Sequence, residues 1–240
     1  MKRMGVDPKL INITKSIYRE TVFCVELDGY TSEWLPQHTG IRQGCPLSPY
    51  LFLIVMTTLF YDVHFKLDSE LKKHRVPGAD FDEVTYADDT ICISRSIKTM
   101  NEFIKTIEEE GAKYGMKLNK AKCELLTNNP NARIILPDNS LIKKHKSATY
   151  LGCELGLRTT NREEISKRFA ATMAIMKKLD IFWRHSDCPT HIKVYTADAV
   201  LRSKLLYGLE SAQLIPSVLK KLETFQLKGF RKYSKSTLHT

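Results

Sequence analysis

The run Tyr50–Phe60, opened by Ser48-Pro49, is apolar on every side of a helix. Such a helix has no polar face to turn to water, so it predicts a segment buried through the middle of a domain rather than one lying on its surface. The longest apolar stretch, Leu51 to Tyr61, is about half the ~20 residues that a membrane span needs. The charged N-terminus Met1-Lys2-Arg3-Met4-Gly5 has no apolar run behind it. Neither membrane insertion nor secretion is therefore expected. Cys24, Cys45, Cys92, Cys123, Cys153 and Cys188 lack paired spacing, which predicts reduced thiols inside a cell, in nucleus or cytoplasm. With 240 residues, 42% hydrophobic and 27% charged, the chain can bury one large or two modest cores, and neither a disordered nor a fibrous chain fits.

Helix and strand periods alternate around the apolar run. Asp7-Pro8 opens a helix with Leu10, Ile11, Ile13, Ile17 and Tyr18 at helical spacing. Val22–Leu27 and Tyr30–Leu35 flank Asp28-Gly29 as a hairpin, and residues 40–49 form a Gly/Pro-rich loop. Glu83–Ala87 and Thr90–Ser94 predict a second hairpin around Asp88-Asp89. Thr99 and Glu102 form a capping box for a helix that ends at Gly115, followed by a strand from Met116 and another from about Thr149 to Leu155. From Asn161 the pattern predicts three helices, opened by Asn161, Pro189-Thr190 and Pro216. The fold class expected is α+β, with a boundary near residue 157.

Charge divides along the same line. Residues 1–140 carry 18 Lys plus Arg against 19 Asp plus Glu, whereas residues 141–240 carry 19 against 8. The whole basic excess lies in the last hundred residues, which suits a polyanion, nucleic acid before membrane; a solubilising surface is the plainer alternative.

Chemistry must come from carboxylates. Adjacent acids in a strand point to opposite faces, but at a hairpin turn Asp88 and Asp89 can approach one point, where two divalent ions about 4 Å apart could serve in-line phosphoryl transfer. An Asp pair alone is more often just a polar turn. The loop Gly40-Ile41-Arg42-Gln43-Gly44-Cys45-Pro46-Leu47-Ser48-Pro49 supplies context, because small residues at 44 and 45 allow close backbone approach and Gln43 offers an amide to bases or sugar. His185, Cys188 and His191 lack a fourth ligand and straddle Pro189, so no zinc is expected. Met173 and Met176 suit core packing.

Taken in order, that loop, Tyr86-Ala87-Asp88-Asp89 roughly forty residues on, Gly115-Met116-Lys117-Leu118-Asn119-Lys120-Ala121-Lys122 and Ala148-Thr149-Tyr150-Leu151-Gly152 resemble the motifs of a reverse transcriptase. Leu205-Leu206-Tyr207-Gly208-Leu209-Glu210, then Leu222-Glu223 with Phe225, is similar to the thumb of non-LTR (LINE-type) retrotransposon enzymes. The resemblance implies a partial right-hand polymerase palm over 1–157, an antiparallel sheet packed on helices, and an all-α thumb of about three helices over 158–240. It implies that Asp88 and Asp89 bind two Mg²⁺ or Mn²⁺ ions. Gln43, Gly44, Cys45, Pro46, Tyr86, Ala87 and Lys122 would line the template and nucleotide site, and Tyr150, Leu151 and Gly152 would grip the primer.

The implied partners are an RNA template, a DNA primer and a deoxynucleoside triphosphate; no protein partner is readable. Arg162, Lys167, Arg168, Lys177, Lys178, Lys193 and Arg202 are the expected backbone contacts of the thumb. The resemblance also implies fingers residues and a further metal aspartate upstream of the helix at 7–19. This chain begins after that point, so it is expected to be inactive alone. The competing reading is a non-catalytic nucleic-acid-binding relic or domesticated module. An RNA-templated RNA polymerase fits less well, because Ala87 stands where that class resembles Gly-Asp-Asp.

Overall fold

The computed structural model describes residues 1–157, 161–209 and 214–234. They form a mixed helix-and-sheet fold of two compact units, one comprising 1–123 with 132–142, the other 124–131 with 143 onward. The second unit takes in residues on both sides of position 157.

In the first unit, helix α1 (Pro8–Ile17) starts as expected, with the Asp7 side chain accepting from Lys9 N at 2.7 Å. The first hairpin forms as two short ladders: β1 (Val22–Phe23) pairs with β4 (Leu35–Pro36), and β2 (Glu26–Leu27) with β3 (Tyr30–Thr31). Its turn is left-handed at both Asp28 (φ 50°) and Gly29 (φ 81°), the form whose twist matches the flanking strands. Helix α2 (Ser48–Lys73) continues well past the apolar run. From Leu59 onward it packs Leu59, Phe60, Val63 and Leu71 against Phe103 of helix α3 (Ile97–Ala112). Gly111 faces α2, where a Cβ would meet Leu59 Cδ1 at 3.5 Å, an ordinary van der Waals contact. Buried Glu110 accepts from Lys113 of its own helix and from Lys66 of α2 at 2.6 Å.

Several expectations need correction. The start of α2 is not buried through the domain: Tyr50 and Leu53 are exposed, because the buried core shared with α3 begins only at Leu59. At 26 residues α2 is also long and apolar enough, by length and composition alone, to cross a membrane, so the shorter span read from the sequence understated it. Helix α3 is capped by Ser96, whose Oγ accepts from Thr99 N at 3.2 Å, and Thr99 lies inside the helix. No strand begins at Met116; the chain leaves a left-handed Gly115 (φ 71°) and reaches a 3-10 turn at Lys120–Lys122. A segment the sequence reading missed lies across α3 instead. In it Ala132, Ile134 and Leu136 are buried in alternation with exposed Arg133 and Ile135, and Ile135 N donates to Asn101 Oδ1 at 2.7 Å.

The second unit opens with a parallel pair, β7 (Glu124–Leu125) and β8 (Lys143–Lys144), then an antiparallel hairpin, β9 (Ser147–Tyr150) and β10 (Cys153–Gly156). Its helices are α4 (Asn161–Lys178), α5 (Asp180–His185), α6 (Thr190–Ala197), α7 (Ser203–Leu206) and α8 (Pro216–Ser234). A π turn at Asp198–Arg202 joins α6 to α7, so the segment opened by Thr190 runs nearly to Gly208 as expected. Short α5 was not anticipated. It places Trp183 in a core with Met176, Ala197 and Leu201, its indole N–H donating to Met176 O at 3.1 Å. Met173, expected in that core, is exposed.

Among the described residues the expected antiparallel sheet takes the form of small two-stranded pairs. Every strand belongs to a separate two-stranded pair, one of them parallel. Most strands here are only two residues long, so each ladder ends before it can recruit a third strand.

Candidate active site

The acidic pair is carried by the hairpin of β5 (Glu83–Tyr86) and β6 (Asp89–Cys92), in which Tyr86 faces Asp89. Ala87 and Asp88 form the two-residue turn. Ala87 has a left-handed backbone (φ 52°), a conformation that a Cβ disfavours and that surroundings must hold. Asp88 thus sits off the ladder while Asp89 opens β6. Both are exposed, and among the described residues neither is in a salt bridge.

The acids at the base of the same hairpin are engaged. Asp82 is buried and accepts from Arg75 through both carboxylate oxygens, Nε lying 3.1 Å from Oδ1, while its backbone carbonyl accepts from Ile93 N at 2.8 Å. His64 Nε2 lies 2.9 Å from both oxygens of Glu83. Burial, followed by the Glu83 charge, pushes the Cys92 thiol up to about 12. The base is closed and the tip open. Two exposed carboxylates suit a hard divalent cation, but no cluster of three or more His, Cys, Asp or Glu side chains occurs among the described residues. Asp82, at the opposite end of the hairpin and held by Arg75, cannot complete the set.

In the loop before α2, Gln43, Gly44 and Pro46 are exposed and Cys45 half-buried. Gly44 is needed for its left-handed backbone (φ 82°), since a Cβ there would meet only open space. Ser48 shapes the loop: its Oγ donates to Arg42 O at 2.7 Å and lies 3.2 Å from Tyr18 OH. The Arg42 guanidinium sits 5.9 Å from the Tyr18 ring centroid. Hydrogen bonding from the Leu47 backbone draws the Cys45 thiol below its ordinary range. The sequence reading missed the bracing by Tyr18 and Ser48; Ser48 ahead of a helix-opening proline was its only local signal. Lys122 is exposed in its 3-10 turn.

In the second unit, Tyr150 faces Cys153 across a turn made by Leu151 (φ 49°) and Gly152 (φ 76°). Of the expected phosphate contacts, Lys177 and Lys178 are exposed at the end of α4, Lys167 pairs with Glu154, and Arg202 pairs with Asp198 at 2.8 Å. Two expectations are overturned. Lys193 is buried and donates to Trp183 O at 3.1 Å near the carbonyl end of α5, which favours a cation. Arg168 is buried too, its Nε donating to Glu164 Oε1 at 2.6 Å. The side chain of Arg162 and the whole of Glu210 lie outside the described residues.

A family model described as reverse transcriptase (RNA-dependent DNA polymerase) matches residues 1–155. The RNA-directed DNA polymerase from mobile element jockey of Drosophila melanogaster is 25% identical over 95% of this chain, and that of Drosophila funebris 24% identical over 95%; the match covers 25% of each relative. A retrovirus-related Pol polyprotein from type-1 retrotransposable element R2 of Popillia japonica is 27% identical over 51% of this chain and 20% of its own length. The chain thus spans about a quarter of the length of the jockey polymerases it matches. With Asp88-Asp89 at a hairpin turn, preceded by the Gly40–Pro49 loop and followed by the Tyr150–Gly152 turn, the chain belongs to the reverse transcriptase family.

Proposed function

We propose that this chain carries the palm's catalytic hairpin and the thumb of an RNA-directed DNA polymerase, with RNA template, DNA primer and deoxynucleoside triphosphate as substrates. The supporting observation is the contrast within one hairpin: the base carboxylates of Asp82 and Glu83 are engaged, whereas those of Asp88 and Asp89 are held outward without salt bridges among the described residues. Asp88, released from the ladder by Ala87, is the more direct metal ligand, and Asp89 flanks it. Bound Mg²⁺ or Mn²⁺, two ions in the complete site, would polarise the phosphoryl group and lower the pKa of the attacking hydroxyl.

The chain's own residues orient the reactants. Gln43 and the backbone at Gly44, held by the Ser48–Arg42–Tyr18 bracing, present an edge to template and nucleotide together with Cys45 and Pro46, while Tyr86 and Ala87 contribute from the acidic hairpin and Lys122 serves the triphosphate. Tyr150, Leu151 and Gly152 orient the primer end. Exposed Lys177 and Lys178 contact the duplex backbone without reading sequence.

The test is a titration of the labelled chain with Mn²⁺, followed by NMR. Paramagnetic broadening centred on residues 86–90, with millimolar or weaker affinity for an incomplete ligand set, is expected. Broadening centred on Asp82, Glu110 or any other acid would overturn the assignment.

A further inference from the structure

The turn joining β9 to β10 is clasped from two sides. Leu151 and Gly152 are both left-handed, which for leucine is costly and persists only where neighbours impose it. On one side is α4: Arg168 Nη2 donates to Cys153 Sγ at 3.1 Å, and Glu164, which holds Arg168 Nε, accepts the Glu154 N–H at 3.2 Å. On the other side is the turn that ends α7. A Cβ on Gly152 would stand 3.2 Å from Tyr207 Cε1, and one on Gly208 (φ 67°) would stand 3.1 Å from Cys153 Sγ. At both glycines a Cβ would press closer than ordinary contact, so the Tyr207 ring or the Cys153 thiol would have to give way by a few tenths of an ångström. Arg168 Nη1 is buried and has no hydrogen-bond partner among the described residues. Burying a guanidinium with an unmade hydrogen bond is unfavourable, so it is retained here for what its other nitrogens hold, the strand leaving the turn.

We propose that Arg168, Tyr207 and Gly208 are positioning residues that fix the orientation of the Tyr150–Gly152 turn, and with it the primer terminus, so that this turn moves as one piece with α4 and α7. The inference rests on the reading of that turn as the primer contact. It assigns a use to a tyrosine–glycine step that was read only as a thumb motif, and it moves Arg168 from the nucleic-acid surface to the support beneath it.

The experiment uses the full 240-residue chain as wild type, Gly208→Ala, Tyr207→Ala, Tyr207→Phe and the double variant Gly208→Ala/Cys153→Ala. Amide exchange is measured first, without nucleic acid. Gly208→Ala and Tyr207→Ala should each speed exchange at 151–154 about tenfold while the amides around Trp183 stay unchanged. Tyr207→Phe keeps the ring and should match wild type, whereas Gly208→Ala/Cys153→Ala, which also removes the thiol that Arg168 holds, should exchange at least as fast as Gly208→Ala.

An RNA–DNA primer–template with 2-aminopurine at the primer 3′ nucleotide is then added. Affinity should stay within about twofold, since exposed lysines supply it. The terminal fluorescence change seen with wild type should be lost in both destabilising variants and kept in Tyr207→Phe. Unchanged exchange at 151–154, or equal acceleration throughout the unit, would overturn the clasp. If wild type binds the duplex without altering the terminal fluorophore, the primer reading fails while the exchange data still decide whether the clasp exists.

Discussion

Two antiparallel hairpins in this chain share a construction. Each has four-residue strands and a two-residue turn with left-handed backbone at a residue other than glycine. Their surroundings differ. Around β5–β6 the packing stops at the base, where Arg75 and His64 hold Asp82 and Glu83, and the acidic tip stands in water. Around β9–β10 the packing rises to the turn, with Tyr207 against Gly152 and Arg168 on Cys153. The same backbone device thus serves opposite ends. An open tip can gain cations and substrate charge, while a clasped turn can only be carried by whatever clasps it.

The largest expected effect tests the open tip. Among the described residues no third carboxylate joins Asp88 and Asp89, so the chain alone should not extend a primer. Fused to an upstream segment of a related element that supplies a strand aspartate, it should give Mg²⁺-dependent extension, which Asp88→Ala reduces to background. The same substitution should shift unfolding free energy by no more than about 0.5 kcal/mol, as for an exposed residue outside any packed network. Extension by the unfused chain that disappears in Asp88→Ala would show that a third ligand had been overlooked.

The clasped turn should answer the other way. Arg168→Ala leaves Glu164 without its cation and opens space beside Cys153, so it should cost about 2–3 kcal/mol in denaturant unfolding. Adding Glu164→Leu should recover part of the loss, because the stranded carboxylate is then gone. A loss under about 0.5 kcal/mol would erase the distinction between the hairpins.

A third measurement sets the stability of the unit that carries the open tip. Lys113 first, then Lys66, hold Glu110 below the usual carboxylate range. A depressed folded-state value means that the contribution is present above the ordinary glutamate pKa of 4.5 and fades as pH falls through the lower folded value. Acid titration of unfolding should therefore show a loss below that point, smaller in Glu110→Gln, which itself should cost about 2 kcal/mol at neutral pH. An acid limb identical in the variant would exclude Glu110 as its source.

The smallest effect is the sharpest comparison. Ala87→Gly relieves a left-handed Cβ at an open turn and should be neutral or stabilising by up to about 0.5 kcal/mol. Leu151→Gly relieves the same strain but removes a half-buried side chain, and should destabilise by about 1 kcal/mol. Equal responses in thermal unfolding would mean that the two turns are held alike.

Local rules made part of this legible. Asp7-Pro8, Asp28-Gly29, Thr190 after Pro189 and Pro216 act through bonds within a few residues, and those elements start where such rules place them. What failed depended on distant partners. The exposure of α2 at Tyr50 is decided by where α3 stops, and the 132–136 segment is ordered by Asn101 of α3 together with its own return at 140–142. The acidic pair could be read because its chemistry lies in adjacent residues, whereas the supports could not. Nothing in the surroundings of Arg168 or Lys193 along the chain distinguishes a cation turned inward from one turned out. Glu164, one helical turn before Arg168, is a local partner, but burial is completed by Cys153 and Trp183, residues that folding rather than sequence brings near.

The division into 1–123 with 132–142 and 124–131 with 143 onward means that the backbone passes between the two units three times, at 123/124, 131/132 and 142/143. A single protease cut in any one passage leaves two covalent links intact, so nicking should yield a molecule that still travels as one species until denaturant is added. Cutting at position 157 would release helices stripped of the hairpin they clasp, so a useful fragment of the second unit has to begin by residue 124. For anyone dissecting this chain, the helices from Asn161 onward cannot be lifted off by a knife placed where the strands end.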